Sequence, residues 1–147
     1  MAERRKTILI VDDDEGMRET LTAVLKREYR VLRAATGEAA LQMMEKEDIE
    51  LMLLDVRLPG ISGFEVLKIA KENYPHVEVI VISVLKELDA AIEAMRYGAY
   101  HYISKDFDLE GVGRLVANAS ERQDFSRHLI RLRAEVEIGR ASCRERV

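Results

Sequence analysis

The chain has 147 residues, 48% of them hydrophobic and 34% charged, which is enough apolar material for one folded domain and too much for a disordered chain. Its net charge of −4 gives this segment no electrostatic grip on nucleic acid, and no apolar run reaches the roughly 18 residues that span a bilayer. The single Cys143 excludes an internal disulfide framework and a cysteine-ligated metal, and no signal-like apolar core follows the charged start, so a cytoplasmic protein is expected.

In chain order, the first apolar run is TILIV (Thr7–Val11), and a helical stripe of Met17, Leu21, Val24 and Leu25 follows it. The run YRVLRAA (Tyr29–Ala35) alternates and suits a sheet edge. Thr36 then caps a helix whose apolar stripe is Ala39, Ala40, Met43 and Met44, with Glu38 close behind the cap. IELMLL (Ile49–Leu54) leads to a third helix built on Phe64, Leu67, Ile69 and Ala70 and stopped by Pro75. VEVIVI (Val77–Ile82) precedes a fourth helix with a stripe of Leu88, Ala91, Ile92 and Met95, closed by Gly98. AYHYI (Ala99–Ile103) is the last strand, and Val112, Leu115, Val116 and Ala119 begin a fifth helix.

Strict alternation of strands and helices with short connections predicts an α/β fold, a doubly wound parallel sheet with helices on both faces. Such sheets place their chemistry beyond the carboxyl ends of the strands. Those ends carry Asp12-Asp13-Asp14-Glu15, Asp55, Ser83 and Ser104-Lys105, whereas the second strand ends in Ala34-Ala35. Taken singly, an acid after a strand is an ordinary residue at a helix start, and a lone lysine is a solvated charge. Four strands delivering complementary groups to one edge is a different matter.

Carboxylates gathered there repel by about 4 kcal/mol per pair at a separation near 4 Å and an effective dielectric near 20. A divalent cation relieves that repulsion, and an all-oxygen donor set favours Mg2+ over zinc. A carboxylate beside it can attack phosphorus to form an aspartyl-phosphate, with a lysine and a hydroxyl on the transferred oxygens. Asp55 as nucleophile, Asp12 and Asp13 around Mg2+, and Ser83 and Lys105 on the phosphoryl group form a coherent set.

The stretches ILIVDDDEGMRETL, LMLLDVRLPGISGFEVL, VIVIS and GAYHYISKDFD together resemble the response-regulator receiver domain, the phosphoacceptor of two-component signalling. The resemblance covers Lys6 to about Arg122. It implies a five-stranded sheet in the flavodoxin-like order 2-1-3-4-5. It also implies phosphorylation of Asp55 by a sensor histidine kinase or phosphotransfer protein. Asp12, Asp13, Asp55 and the backbone carbonyl of Arg57 would hold Mg2+. Ser83 would be the switch hydroxyl, Lys105 the phosphate-pairing cation and Tyr102 the switch aromatic. Asp14 and Glu15 are read as helix-opening acids.

The output surface is expected on the helix from Lys86 to Tyr97, strand five and the helix from Leu109. Beyond its own phosphotransfer and dephosphorylation, no enzyme activity is expected. Two residues depart from the family pattern: Asp106 stands where proline usually follows the lysine, and Val84 where Ala or Gly usually follows the switch hydroxyl. The first is expected to loosen the loop holding Lys105. The second is expected to slow loss of the phosphoryl group.

The domain organisation expected is a receiver over 1–122, a helical linker over 123–137 and a non-native tail over 138–147. Phe125, Leu129, Leu132 and Val136 are spaced as a coiled-coil seam, which predicts a homodimer through helix 5 and the linker, leading to an output domain. The tail, IGRASCRERV, resembles one reading frame of a common sequencing adapter, the alternative being a disordered basic tail. Two other classes compete. A haloacid-dehalogenase-type phosphohydrolase would use Asp12 in D-x-D-x-T/V, but Gly16 stands where Thr or Val belongs. A flavodoxin-like mononucleotide binder would need a phosphate cradle after strand one, where four carboxylates stand instead.

Overall fold

The computed structural model describes residues 5–84 and 88–145, with side chains described as far as residue 135. Lys86 and the side chains of Val136 and Cys143 therefore lie outside what is described. The elements alternate in the predicted order. They are β1 (Thr7–Val11), α1 (Glu15–Leu25), β2 (Arg30–Ala34), α2 (Gly37–Lys46), β3 (Leu51–Leu54), α3 (Gly63–Asn73), β4 (Glu78–Ser83), α4 (Leu88–Arg96), β5 (His101–Ser104) and α5 (Leu109–Glu145). All five strands are parallel in the order β2-β1-β3-β4-β5.

The alternation of side chains along each strand divides the core into two layers. Leu9, Val11, Met52, Leu54, Val79 and Val81 face α2, α3 and α4, where Ala40, Met44, Val66, Leu67, Ala70 and Ala94 meet them. Ile8, Ile10, Leu51, Leu53, Ile80 and Ile82 face Leu21 and Leu25 of α1 and Val112, Val116 and Ala119 of α5. Strands β1, β3 and β4 are covered on both faces, which is why they read as near-continuous apolar runs. The edge strand β2 does not alternate strictly as its sequence predicts: Val31 and Leu32, packed on opposite faces, are both half-buried between the exposed Arg30 and Arg33.

Side-chain oxygens cap α2, as expected, and also α3. Thr36 accepts the Ala39 N–H at 3.1 Å, and Ser62 accepts the Glu65 N–H at 3.3 Å. Gly98 takes φ +98° after α4, where the Ala99 N–H reaches the Ala94 carbonyl and the Gly98 N–H reaches that of Met95.

One helix packs differently from its expected stripe. In α4 the buried residues are Ala90 and Ala94, whereas Leu88 is 74% exposed, Ile92 49% and Met95 50%. The helix carries two apolar stripes, and the small one lies against the sheet. Alanines let the helix axis come close, and the larger side chains are left on the opposite side.

Helix α5 keeps contact with the domain past Ala119. Gln123 is fully buried, the Ser126 hydroxyl donates to Glu78 Oε1 at 2.9 Å, and Arg127 pairs with Asp48 at 3.2 Å. Its backbone continues to Glu145, into the segment set aside as a tail.

Candidate functional site: an acid–lysine pocket at the carboxyl edge

Parallel pairing aligns the strand ends. Val11 is in register with Leu54, so Asp12 and Asp55, one residue further on, emerge side by side. The register is closed by the Asp55 N–H, which donates to the Val11 carbonyl at 2.9 Å. At the other side of β3, Ser83 is in register with Ser104, and the Lys105 N–H donates to the Ser83 carbonyl at 2.9 Å. The strand order turns at β1 and β3, so the acids sit at the switch point where open α/β sheets bind ligands.

The Lys105 ammonium reaches both buried acids, 2.8 Å from Asp55 Oδ2 and 3.0 Å from Asp12 Oδ2. Asp55 Oδ1 accepts the Arg57 N–H at 2.9 Å, so both oxygens of this carboxylate are engaged. Asp12 Oδ1 accepts the Asp14 N–H at 2.9 Å, and Arg18 donates to the Asp12 carbonyl at 2.7 Å. Asp13 is exposed at the mouth, and carboxylate oxygens of Asp12, Asp13 and Asp55 all lie within 4.8 Å of one another.

In the pocket, burial and charge pairing pull against each other. Burial pushes the Asp12 carboxyl above its usual range, outweighing the Asp14 N–H and Lys105, and the nearby Asp55 adds to the rise. Burial pulls the Lys105 ammonium down, but its bonds to Asp55 and Asp12 more than offset this and hold it above its ordinary value. Three carboxylates around one ammonium, all with oxygen donors, suit a hard divalent cation.

The other expected residues are distributed as follows. Ser83 is fully buried at the end of β4, and Tyr102 on β5 is half-buried against the α2–α3–α4 layer. Arg57 begins the loop after Asp55 with its side chain exposed. Val84 is 55% exposed. Asp14 caps α1 by accepting the Gly16 N–H at 2.9 Å, which matches its reading as a helix-opening acid.

Two residues at this edge were given no site role in the sequence. A Cβ at Gly63 would collide with the Asp55 carbonyl and the Val56 Cα, so only glycine lets α3 start against the Asp55 backbone. Glu38 reaches from α2 to accept the Ile61 N–H at 2.9 Å. The Ser62-x-x-Glu65 capping pattern locates the start of α3 at Gly63, whereas nothing local signals the partner of Glu38.

An open parallel sheet with an acid–lysine pocket at its switch point defines a class, the doubly wound α/β domains that work on a group held at the carboxyl edge. The comparisons narrow it. The family model of the response regulator receiver domain matches residues 8–117, and the chain belongs to that family. It is the receiver domain of two-component response regulators.

Sporulation initiation phosphotransferase F of Bacillus subtilis is 39% identical over 106 residues, 71% of this chain and 86% of that protein. The DNA-binding transcriptional regulator NtrC of Proteus hauseri is 33% identical over 117 residues, 79% of this chain but only 25% of that protein. Among solved structures, the beryllofluoride-activated NtrC4 receiver domain dimer matches at a TM-score of 0.76 and 31% identity, over 80% of this chain and 98% of that one. No helix among the described residues is long and apolar enough to cross a membrane.

Proposed function

We propose that this receiver takes a phosphoryl group on Asp55 from a sensor histidine kinase or phosphotransfer protein, and passes the change to an attached output domain. The observation that carries this reading is the ammonium of Lys105 bridging Asp55 and Asp12, with Asp13 completing an acid trio at the mouth. Asp12, Asp13, Asp55 and the Arg57 carbonyl are the residues to hold Mg2+. When bound, the cation supplies charge neutralisation for the carboxylates and the incoming phosphoryl oxygens.

A carboxylate oxygen of Asp55 forms the new P–O bond while the donor's P–N bond breaks, and the histidine nitrogen keeps the electron pair. The Arg57 N–H and Lys105 orient the nucleophile by engaging one oxygen each. In the product, Lys105 and the Ser83 hydroxyl serve the phosphoryl oxygens, which spread nearly two negative charges where the carboxylate had one. Movement of Ser83 toward that acceptor leaves room for Tyr102, and the change reaches α4, β5 and α5. The exposed Leu88, Ile92 and Met95 on α4 support an output surface there, because such large apolar side chains in one patch mark a contact site.

Pairing of two chains through α5 fits its geometry. At 100° per residue, Phe125, Leu129 and Leu132 lie opposite the buried Val116, Ala119 and Gln123, and Phe125 is 63% exposed. The NtrC relative is a DNA-binding regulator about four times the matched length, which supports an output domain attached beyond the linker. A cytoplasmic location follows from this signalling role.

The test is Asp55→Asn, incubated with Mg2+ and a small-molecule phosphodonor such as acetyl phosphate. The wild-type chain acquires acid-labile phosphate and the variant acquires none. A phosphohydrolase working through Asp12 would instead keep hydrolysing phosphate esters in the variant, and that outcome would remove this reading.

A further inference from the structure

The loop between Asp55 and α3 is tied down at three places. At its start, the Arg57 N–H donates to Asp55 Oδ1 at 2.9 Å. At its end, the Gly63 N–H donates to the Val56 carbonyl at 3.0 Å, and the bare glycine sits against the Asp55 carbonyl. The middle is held from outside, by the first turn of α2. There the Ile61 N–H donates to Glu38 Oε1 at 2.9 Å across 23 residues of chain.

The surroundings are shaped for this contact. Gly60 takes φ +79°, and a Cβ on it would run into the Glu38 carboxylate. A Cβ on Gly37 would lie 2.7 Å from Ile61 Cγ1 and 2.7 Å from Val66 Cγ2, so its absence lets the Ile61 side chain seat against the helix start. The Glu38 carboxyl is held below its usual range, first by the Ile61 N–H and then by its own backbone N–H. Two glycines and one carboxylate thus converge on a single loop residue. Thr36 caps the helix that carries them.

Glu38 is not among the acids of the pocket and has no role in the transfer described above. It does act on the segment that carries the Arg57 carbonyl. We propose that Glu38 is a positioning residue: by holding the Ile61 N–H from α2, it fixes the loop that presents the Arg57 carbonyl and so sets the affinity of the site for Mg2+. This rests on the reading of Asp12, Asp13, Asp55 and Arg57 as the Mg2+ site. Groups that orient a metal ligand without touching the metal change affinity by 10-fold or more when bonded to the ligand itself. Glu38 acts through a loop, over an exposed hydrogen bond, so about fivefold is expected.

The experiment titrates Mg2+ alone into the full chain by calorimetry, for the wild type, Glu38→Ala, Glu38→Gln and Asp13→Asn. Amide hydrogen exchange at Ile61 is followed by NMR in the same samples. Glu38→Ala should weaken Mg2+ binding about fivefold and speed exchange at Ile61, with both falling back to within about twofold of wild type in Glu38→Gln, whose amide oxygen still accepts. Unchanged Mg2+ affinity in Glu38→Ala overturns the proposal. So does a Glu38→Gln variant as weak as the alanine, because the effect would then belong to the charge and not to the hydrogen bond. If Asp13→Asn binds Mg2+ as well as the wild type, the acid site itself is misassigned and the two readings fall together. A latch that fails alone leaves the Asp13 effect intact.

Discussion

The two ends of this sheet carry equally buried acids that do different things. At the carboxyl edge Asp12 and Asp55 are each 3% exposed, and at the amino edge Glu50 is 3% and Glu78 4% exposed. Burial alone therefore does not separate them. Their hydrogen-bond partners do. Glu50 accepts the Thr7 N–H at 2.6 Å, and Glu78 accepts the Ser126 hydroxyl at 2.9 Å and pairs with Arg122 at 3.8 Å, so partners from different elements serve these two acids. Asp12 and Asp55 share one ammonium, with the exposed Asp13 a third acid beside them.

The amino-edge arrangement is a clasp. Glu78 holds Ser126, Asp48 pairs with Arg127, and Lys6 donates to the Ser120 carbonyl and pairs with Asp124, all of them fastening α5 to the sheet. At the carboxyl edge the Lys105 ammonium is shared between Asp12 and Asp55. Acids whose partners lie on a helix hold that helix to the sheet, whereas acids clustered around a shared counter-charge are candidates for a functional site.

The largest effect that would sharpen this contrast comes from the shared ammonium. Lys105→Met leaves two buried carboxylates without their counter-charge and should cost about 3 kcal/mol in urea unfolding without metal. Saturating Mg2+ should recover part of that loss. If the variant is as stable as the wild type, the ammonium is not balancing the pair.

Next in size is the clasp. Glu78→Ala deprives the Ser126 hydroxyl of its buried acceptor and should cost about 2 kcal/mol, while phosphorylation of Asp55 stays within about twofold. A phosphorylation rate that collapsed along with stability would break the division between the two edges.

The smallest effect is on pH dependence. Burial raises the Asp12 carboxyl in the folded protein, so the folded state holds that proton more tightly than the unfolded chain. The stability tied to Asp12 is therefore greatest below the usual carboxylate range and declines as pH rises through the raised value. Asp12→Asn should flatten this decline in Mg2+-free buffer and leave the protein more stable near neutrality. An unaltered slope of unfolding free energy against pH would mean that the Asp12 charge is already compensated.

The polar residues at the carboxyl edge were legible because strand ends are local features. Apolar runs stop where the sheet stops, and Asp12, Asp55, Ser83 and Lys105 follow those stops directly. The amino-edge acids were hidden inside the same runs, since Glu50 and Glu78 sit in IELMLL and VEVIVI with nothing local to mark their partners on β1 and α5. The orientation of α4 was misleading for a related reason. Periodicity finds an apolar stripe, but α4 has two, and the one made of Leu88, Ile92 and Met95 is on the outside.

Taken alone, the amino-acid order determined the five strands, the alternation that makes the sheet parallel and doubly wound, and the row of polar groups at its carboxyl edge, because side-chain periods of 2 and 3.6 residues are written locally. Only the tertiary structure decided which acids share Lys105, which stripe of α4 meets the sheet, and that Glu38 holds Ile61. Those outcomes depend on how closely elements distant in sequence approach one another, a distance set by the volumes packed between them and by glycines that yield space.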